Sequence, residues 1–216
     1  MEHIYIAMVD TPGIFAAVIR GFLKQRYIHV VIGLDAGLQE AYSFGRRNPR
    51  IPFFAGFERE DKEKILRAFP TAAYRVCELA CSGEQKEEIR ERLRQDYKKR
   101  LRYHYAVPGL PFIALGCPFY LKNQYTCSSY IARLLEEHQI RISEKHFSLV
   151  TPKDFYLYPY QRVVFEGSLA GFMGAGAVAA AGVEAASGTW KDKDRERRMP
   201  KPYGTGASER VVAYGS

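Results

Sequence analysis

Apolar and polar positions change period repeatedly along the first 168 residues, and each change marks an element. Ile4 to Val9 is a β-rich run closed by the turn signal Asp10-Thr11-Pro12-Gly13. Ile14, Phe15, Val18, Ile19, Phe22 and Leu23 then recur at helical spacing, which predicts a helix to Lys24, capped by Asp10 or Thr11 with Pro12 near its first turn. Tyr27 to Leu34 and Leu38 to Phe44 predict a hairpin about Asp35-Ala36-Gly37, followed by a polar loop from Arg46 to Pro52. Ala72 to Leu79 predicts another strand. Gly83 to Arg102 predicts a long charged helix with Ile89, Leu93 and Tyr97 on its apolar side, opened by a Ser82/Gln85 capping box. After a proline-punctuated apolar connector from Pro108 to Pro118, Asn123 to Glu137 predicts a helix with Tyr130, Ile131, Leu134 and Leu135 inward. Val163 to Phe165 predicts a short last strand.

The periodicity stops near Leu169. An Ala/Gly run, a charged stretch from Lys191 to Lys201 and a Gly/Ser-rich end predict a flexible tail over residues 169–216, behind one domain over residues 1–168. A chain of 216 residues, 47% hydrophobic and 26% charged, is large enough for one core without disulfide staples and excludes a disordered or coiled-coil protein. No internal repeat is visible.

Charge changes this picture little. The net charge of +8 invites a nucleic-acid reading. Residues 191–216 hold seven Lys/Arg against four Asp/Glu, so +3 of it lies in the expected tail. In the 83–102 helix the cations Lys98, Lys99, Arg100 and Arg102, interleaved with Tyr97 and Tyr103, sit beside Glu84, Glu87, Glu88, Glu91 and Asp96. No nucleic-acid partner is therefore expected, and a non-catalytic basic binding protein is kept as an alternative class. The N-terminus lacks a basic signal region, and the Ala/Gly-rich uncharged run Leu169 to Val183 is shorter than the roughly 20 residues of a bilayer span. The expectation is a cytoplasmic protein with no transmembrane segment.

Four cysteines (Cys77, Cys81, Cys117, Cys127) without a CxxC pair predict neither a disulfide scaffold nor a metal site, and no cofactor is expected. Three residues stand apart from generic core. His29 lies in the apolar strand Tyr27-Ile28-His29-Val30-Val31-Ile32-Gly33. Glu40 lies in the returning strand. A hairpin centred on Ala36 and Gly37 would set residue 40 opposite residue 33, on the face that residue 29 shares, so His29 and Glu40 would point the same way. Cys127, in Tyr125-Thr126-Cys127-Ser128-Ser129-Tyr130, opens a helix, where the dipole and unpaired N–H groups favour a thiolate. A nucleophilic thiol needs a base and a group that orients the base. Taken singly, each residue is more simply a core cysteine, a satisfied histidine and a solvated carboxylate; His3, His104, His138 and His146 have no such companions.

The order His-strand, turn, polar strand and later Tyr-Thr-Cys-Ser-Ser-Tyr helix resembles the circularly permuted branch of the NlpC-like papain-fold cysteine peptidases, in particular the YiiX-like group of bacterial cysteine hydrolases. The likeness rests on His29-Val30-Val31-Ile32, Glu40, Cys127-Ser128-Ser129-Tyr130 and Phe147-Ser148-Leu149-Val150-Thr151-Pro152-Lys153-Asp154-Phe155, and covers roughly residues 3–167. The stretch between Phe44 and Gln124 contains the long basic helix, to which the resemblance assigns no role, and the tail after Leu169 has no counterpart there. The resemblance implies an α+β fold, a small antiparallel sheet or half-barrel packed against helices that include the nucleophile helix. It also implies a thiol hydrolase in which Cys127 attacks a carbonyl carbon, His29 is the base, Glu40 orients the imidazole and the Cys127 N–H contributes to an oxyanion hole. The implied substrates are short peptides or murein fragments cut at amide bonds. Permuted relatives that move fatty acyl chains make an acyltransferase or thioesterase the alternative.

Overall fold

The computed structural model describes residues 1–12, 14–47, 55–160 and 162–180. The expected tail beyond residue 180 and most of the expected loop from Arg46 to Pro52 lie outside them. The chain is α+β. Strands β1 (Glu2–Asp10), β2 (His29–Gly33), β3 (Ala41–Arg46), β4 (Ala55–Arg59), β5 (Ala73–Cys81) and β8 (Arg162–Ser168) form one antiparallel sheet in the order β4-β3-β2-β1-β5-β8. A two-residue parallel pair, β6 (His104–Tyr105) and β7 (Gln124–Tyr125), stands apart. The helices are α1 (Ile14–Leu23), α2 (Lys62–Ala68), α3 (Gly83–Lys98), α4 (Leu110–Leu115), α5 (Cys127–Glu137), α6 (Pro152–Leu157) and α7 (Leu169–Ala180).

Strand alternation divides the core between the two sheet faces. Ile4, Ile6, Met8, Val30, Ile32, Tyr42, Phe44, Cys77 and Leu79 point to one face, where Ile89 and Leu93 of α3 and Ile131, Leu134 and Leu135 of α5 cover them. Ala7, Val9, Val31, Ala41, Tyr74 and Val76 point to the other, covered by Ile65 and Leu66 of α2 and Leu169 and Phe172 of α7. The α3 capping box is present: Ser82 Oγ accepts from the Gln85 N–H at 3.0 Å and the Ser82 N–H donates to Gln85 Oε1 at 2.8 Å.

Four expectations change. Strand β4 and helix α2 were not anticipated, being short and rich in charge. The helix predicted from Asn123 begins at Cys127, because Gln124 and Tyr125 pair with His104 and Tyr105 instead. The tail expected from residue 169 starts as α7, anchored by buried Leu169 and Phe172; Phe172 packs on Tyr74 and Phe165 at ring separations of 6.0 and 5.0 Å.

The fourth change is the hairpin register. Gly33 faces Ala41 and Ile32 faces Tyr42, and the Leu34 N–H donates to the Glu40 carbonyl at 2.9 Å. Residue 40 is thus opposite residue 34, one place from expectation, and a one-residue slip reverses every side chain. The cause is the turn. Asp35 accepts from the Gln39 and Glu40 N–H groups, Lys62 Nζ donates to the Gly37 and Leu38 carbonyls at 2.6 and 2.8 Å, and Leu38, buried in the core, takes a left-handed φ of 53°. Burial of its apolar side chain is set against that backbone cost.

Candidate active site

Cys127 is the first residue of α5. Its helix is opened by a capping box in which Thr126 Oγ1 accepts from the Ser129 N–H at 3.1 Å and the Thr126 N–H donates to Ser129 Oγ at 2.8 Å. The Cys127 and Ser128 N–H groups belong to the first turn and have no carbonyl partner within the helix. Ser128 Oγ donates to the Val150 carbonyl at 2.7 Å, and buried Asp96 of α3 accepts from Tyr130 of α5 at 2.8 Å and from Tyr103 at 2.6 Å. Helix α5 is therefore held over its first turn.

His29 reaches this point from the other face of the sheet. It faces Val9 in β1 and shares the parity of Val31 and Gly33, whereas Cys127 belongs to the cluster on the opposite face. The two meet because the β2–β3 ladder ends at Ile32 and Tyr42. The Val30 N–H, which alternation aims at β3, is directed instead to the Cys127 sulfur. The sulfur is hydrogen-bonded to the His29 imidazole.

The electrostatic balance at the sulfur separates it from the other cysteines. Burial pushes the Cys127 thiol up, but the charge of His29, its hydrogen bond, and the Val30 and Ser128 N–H groups outweigh burial and leave the thiol below its ordinary value. Burial dominates at Cys77 and Cys81, and both are raised. Among the described residues all four cysteines are free.

Glu40 is not with His29. The register places it on the face of Leu34, and its carboxylate is taken by Arg94 of α3, whose Nε and Nη2 donate to the two oxygens at 2.8 Å each, and by the Tyr42 hydroxyl at 3.1 Å. The Arg94 hydrogen bonds, set against partial burial, hold Glu40 below the usual carboxylate range. Of the three expected site residues the structure brings Cys127 and His29 together and places Glu40 with Arg94 and Tyr42 instead.

Residues on the imidazole side of β3 were not singled out in the sequence. A Cβ on Gly45 would lie 3.8 Å from His29 Cε1 and Nε2 and 3.3 Å from Ser43 Oγ, so these small residues make room for the ring. Ser43 Oγ donates to Glu60 at 3.0 Å, and the other Glu60 oxygen accepts from Tyr74 at 2.8 Å. The pattern Tyr42-Ser43-Phe44-Gly45, large then small, carried that signal.

His29, Ser43, Gly45 and Glu60 line a cleft of about 470 Å³, together with Arg47, Glu58, Arg59, Asp61, Lys64 and Arg100 and with apolar Ile19, Ile65, Phe69, Val107 and Leu110. Cys127 is 3% exposed and lies behind the imidazole rather than on the cleft wall. Among the described residues no group of three or more His, Cys, Asp or Glu is placed to hold a metal ion, and no helix is long and apolar enough to cross a membrane. Comparison of the chain with protein-family models, with curated proteins and with solved structures finds no match.

Proposed function

We propose that the protein is a thiol hydrolase of the circularly permuted papain-like type, with Cys127 as nucleophile and His29 as general base. One observation carries the reading: a thiol at a helix N-terminus, hydrogen-bonded to an imidazole from a neighbouring strand, is held below its ordinary pKa although it is buried. In the reaction the Cys127 sulfur attacks a carbonyl carbon while the Cys127 N–H supports the oxyanion. His29 then protonates the leaving group, and later takes a proton from the water that releases the acyl-enzyme. Glu60, linked to Ser43, takes the place expected of Glu40 as the carboxylate on the imidazole side of the sheet.

The cleft that His29 lines supports a choice of substrate class. Carboxylates (Glu58, Glu60, Asp61) and cations (Arg47, Arg59, Lys64) beside His29 suit a short peptide that carries both charges, such as a cell-wall-derived fragment cut at an amide bond. The apolar wall of Ile19, Ile65, Phe69, Val107 and Leu110 favours a second reading, hydrolysis or transfer of an acyl chain.

The test is a screen of short peptides, murein fragments and acyl esters, with mass-spectrometric mapping of the site labelled by iodoacetamide. The expected result is turnover that Cys127→Ala lowers by about a thousand-fold or more with the fold intact, and label on Cys127. Turnover that survives Cys127→Ala, or labelling confined to Cys117, would overturn the assignment.

A further inference from the structure

Residues 103–121 contain no Lys, Arg, Asp or Glu, and the acidic residues nearest to them in sequence are Asp96 and Glu136. Within this span Val107, Phe112, Leu115, Tyr120 and Leu121 are exposed, Leu115 at 74%, and helix α4 has no buried residue. Leu101, 73% exposed, extends the patch. The excursion is ordered rather than frayed. The rings of Phe112 and Phe119 stack at 4.3 Å, the Phe119 N–H donates to Ser148 Oγ at 3.2 Å, and its two stems pair as β6 and β7. Ordered apolar surface of this kind, uncovered by any of the described residues, marks an interaction site.

Its charge says which kind. Lys98, Lys99 and Arg102 precede the excursion and Lys122 follows it; all four are exposed and, among the described residues, none has an acidic partner. Arg102 and Lys122 each lie two residues before the paired His104 and Gln124, at the base of the excursion. An apolar tip ringed by unpaired cations matches a bilayer surface, acyl chains beneath and anionic headgroups around. A nucleic acid would meet the cations but leave Leu101 and Leu115 without a partner.

We propose that residues 98–122 dock the protein on an anionic phospholipid surface, with Leu101, Phe112 and Leu115 inserted and Lys98, Lys99, Arg102 and Lys122 at the headgroups. Leu101, Val107 and Leu110 also line the cleft of His29, so docking places the mouth of that cleft at the membrane. The docking surface does not depend on the thiol chemistry.

The experiment is co-sedimentation of the full chain with phosphatidylcholine vesicles, with and without about one-third phosphatidylglycerol. Binding to the anionic vesicles is expected to weaken about five-fold for each cation replaced by Ala and about ten-fold or more for Leu115→Asp. It should fall with salt and be unchanged in Cys127→Ala, so that loss of docking and loss of hydrolysis are read separately. Leu115 is exposed, so circular dichroism should show Leu115→Asp folded. Absence of binding to anionic vesicles, binding indifferent to Leu115→Asp, or retention of single-stranded nucleic acid alone would overturn the proposal.

Discussion

Cys77, Cys81 and Cys127 are all buried, yet burial raises the first two thiols while the third is lowered. The difference lies in what each sulfur faces, and it fixes the sign of a pH experiment. The thiolate is the species that alkylates. The rate of Cys127 alkylation should therefore rise through a midpoint below the roughly 8.5 of a free cysteine. His29→Gln removes the charge and one hydrogen bond and leaves burial opposed only by the Val30 and Ser128 N–H groups, so the midpoint should move upward. A profile unchanged by His29→Gln would show that the imidazole does not act on the sulfur. Residue type was enough to single out this pair: an imidazole in an apolar strand and a thiol after a capping threonine are both visible in the sequence. Val30 was not legible, because it acts through its backbone N–H at a place where a ladder ends.

At the scale of elements, the hairpin shows where pattern reading stopped. Both strands are plain in Tyr27 to Leu34 and Leu38 to Phe44, but their register depended on Leu38, an apolar residue in a left-handed conformation that no turn preference predicts. That one residue moved Glu40 to the far face. Strand β4 and helix α2 escaped for another reason. Ala55–Arg59 is an edge strand of five residues, and Lys62–Ala68 is a two-turn helix, both too short for a period to emerge from their charged residues. The consequence for Glu40 can be measured. Its partners are exposed Arg94 of α3 and buried Tyr42 of β3, neither of which lines the cleft, so Glu40→Gln should leave kcat/KM within about two-fold of the parent. Glu60→Gln, which alters the carboxylate on the His29 side, should lower kcat more than Glu40→Gln does. The reverse order would restore Glu40 as the orienting group.

For the whole molecule, the site lies where the two faces of the sheet come together, and its parts answer to different layers. Helix α5, with its sulfur, is fixed from the side of α3 through Asp96. The imidazole, Ser43 and Glu60 belong to the side covered by α2 and α7. Leu169–Ala180 showed no helical stripe in the sequence, since a helix made mostly of Ala and Gly has little amphipathic contrast. Yet Phe172 stacks on Tyr74, whose hydroxyl donates to Glu60, and both burial and Glu60 push that hydroxyl up so that it remains a donor. Phe172→Ala should therefore destabilise the protein by about 3 kcal/mol, as truncation of a buried aromatic does, read as a lower urea midpoint at unchanged m. Because the cavity opens beneath Tyr74, kcat should fall as well, in step with the effect of Glu60→Gln and without change in the alkylation midpoint of Cys127. A flexible tail beginning at residue 169 would leave the urea midpoint where it is, so an unchanged midpoint would release α7 from the sheet and detach it from the site.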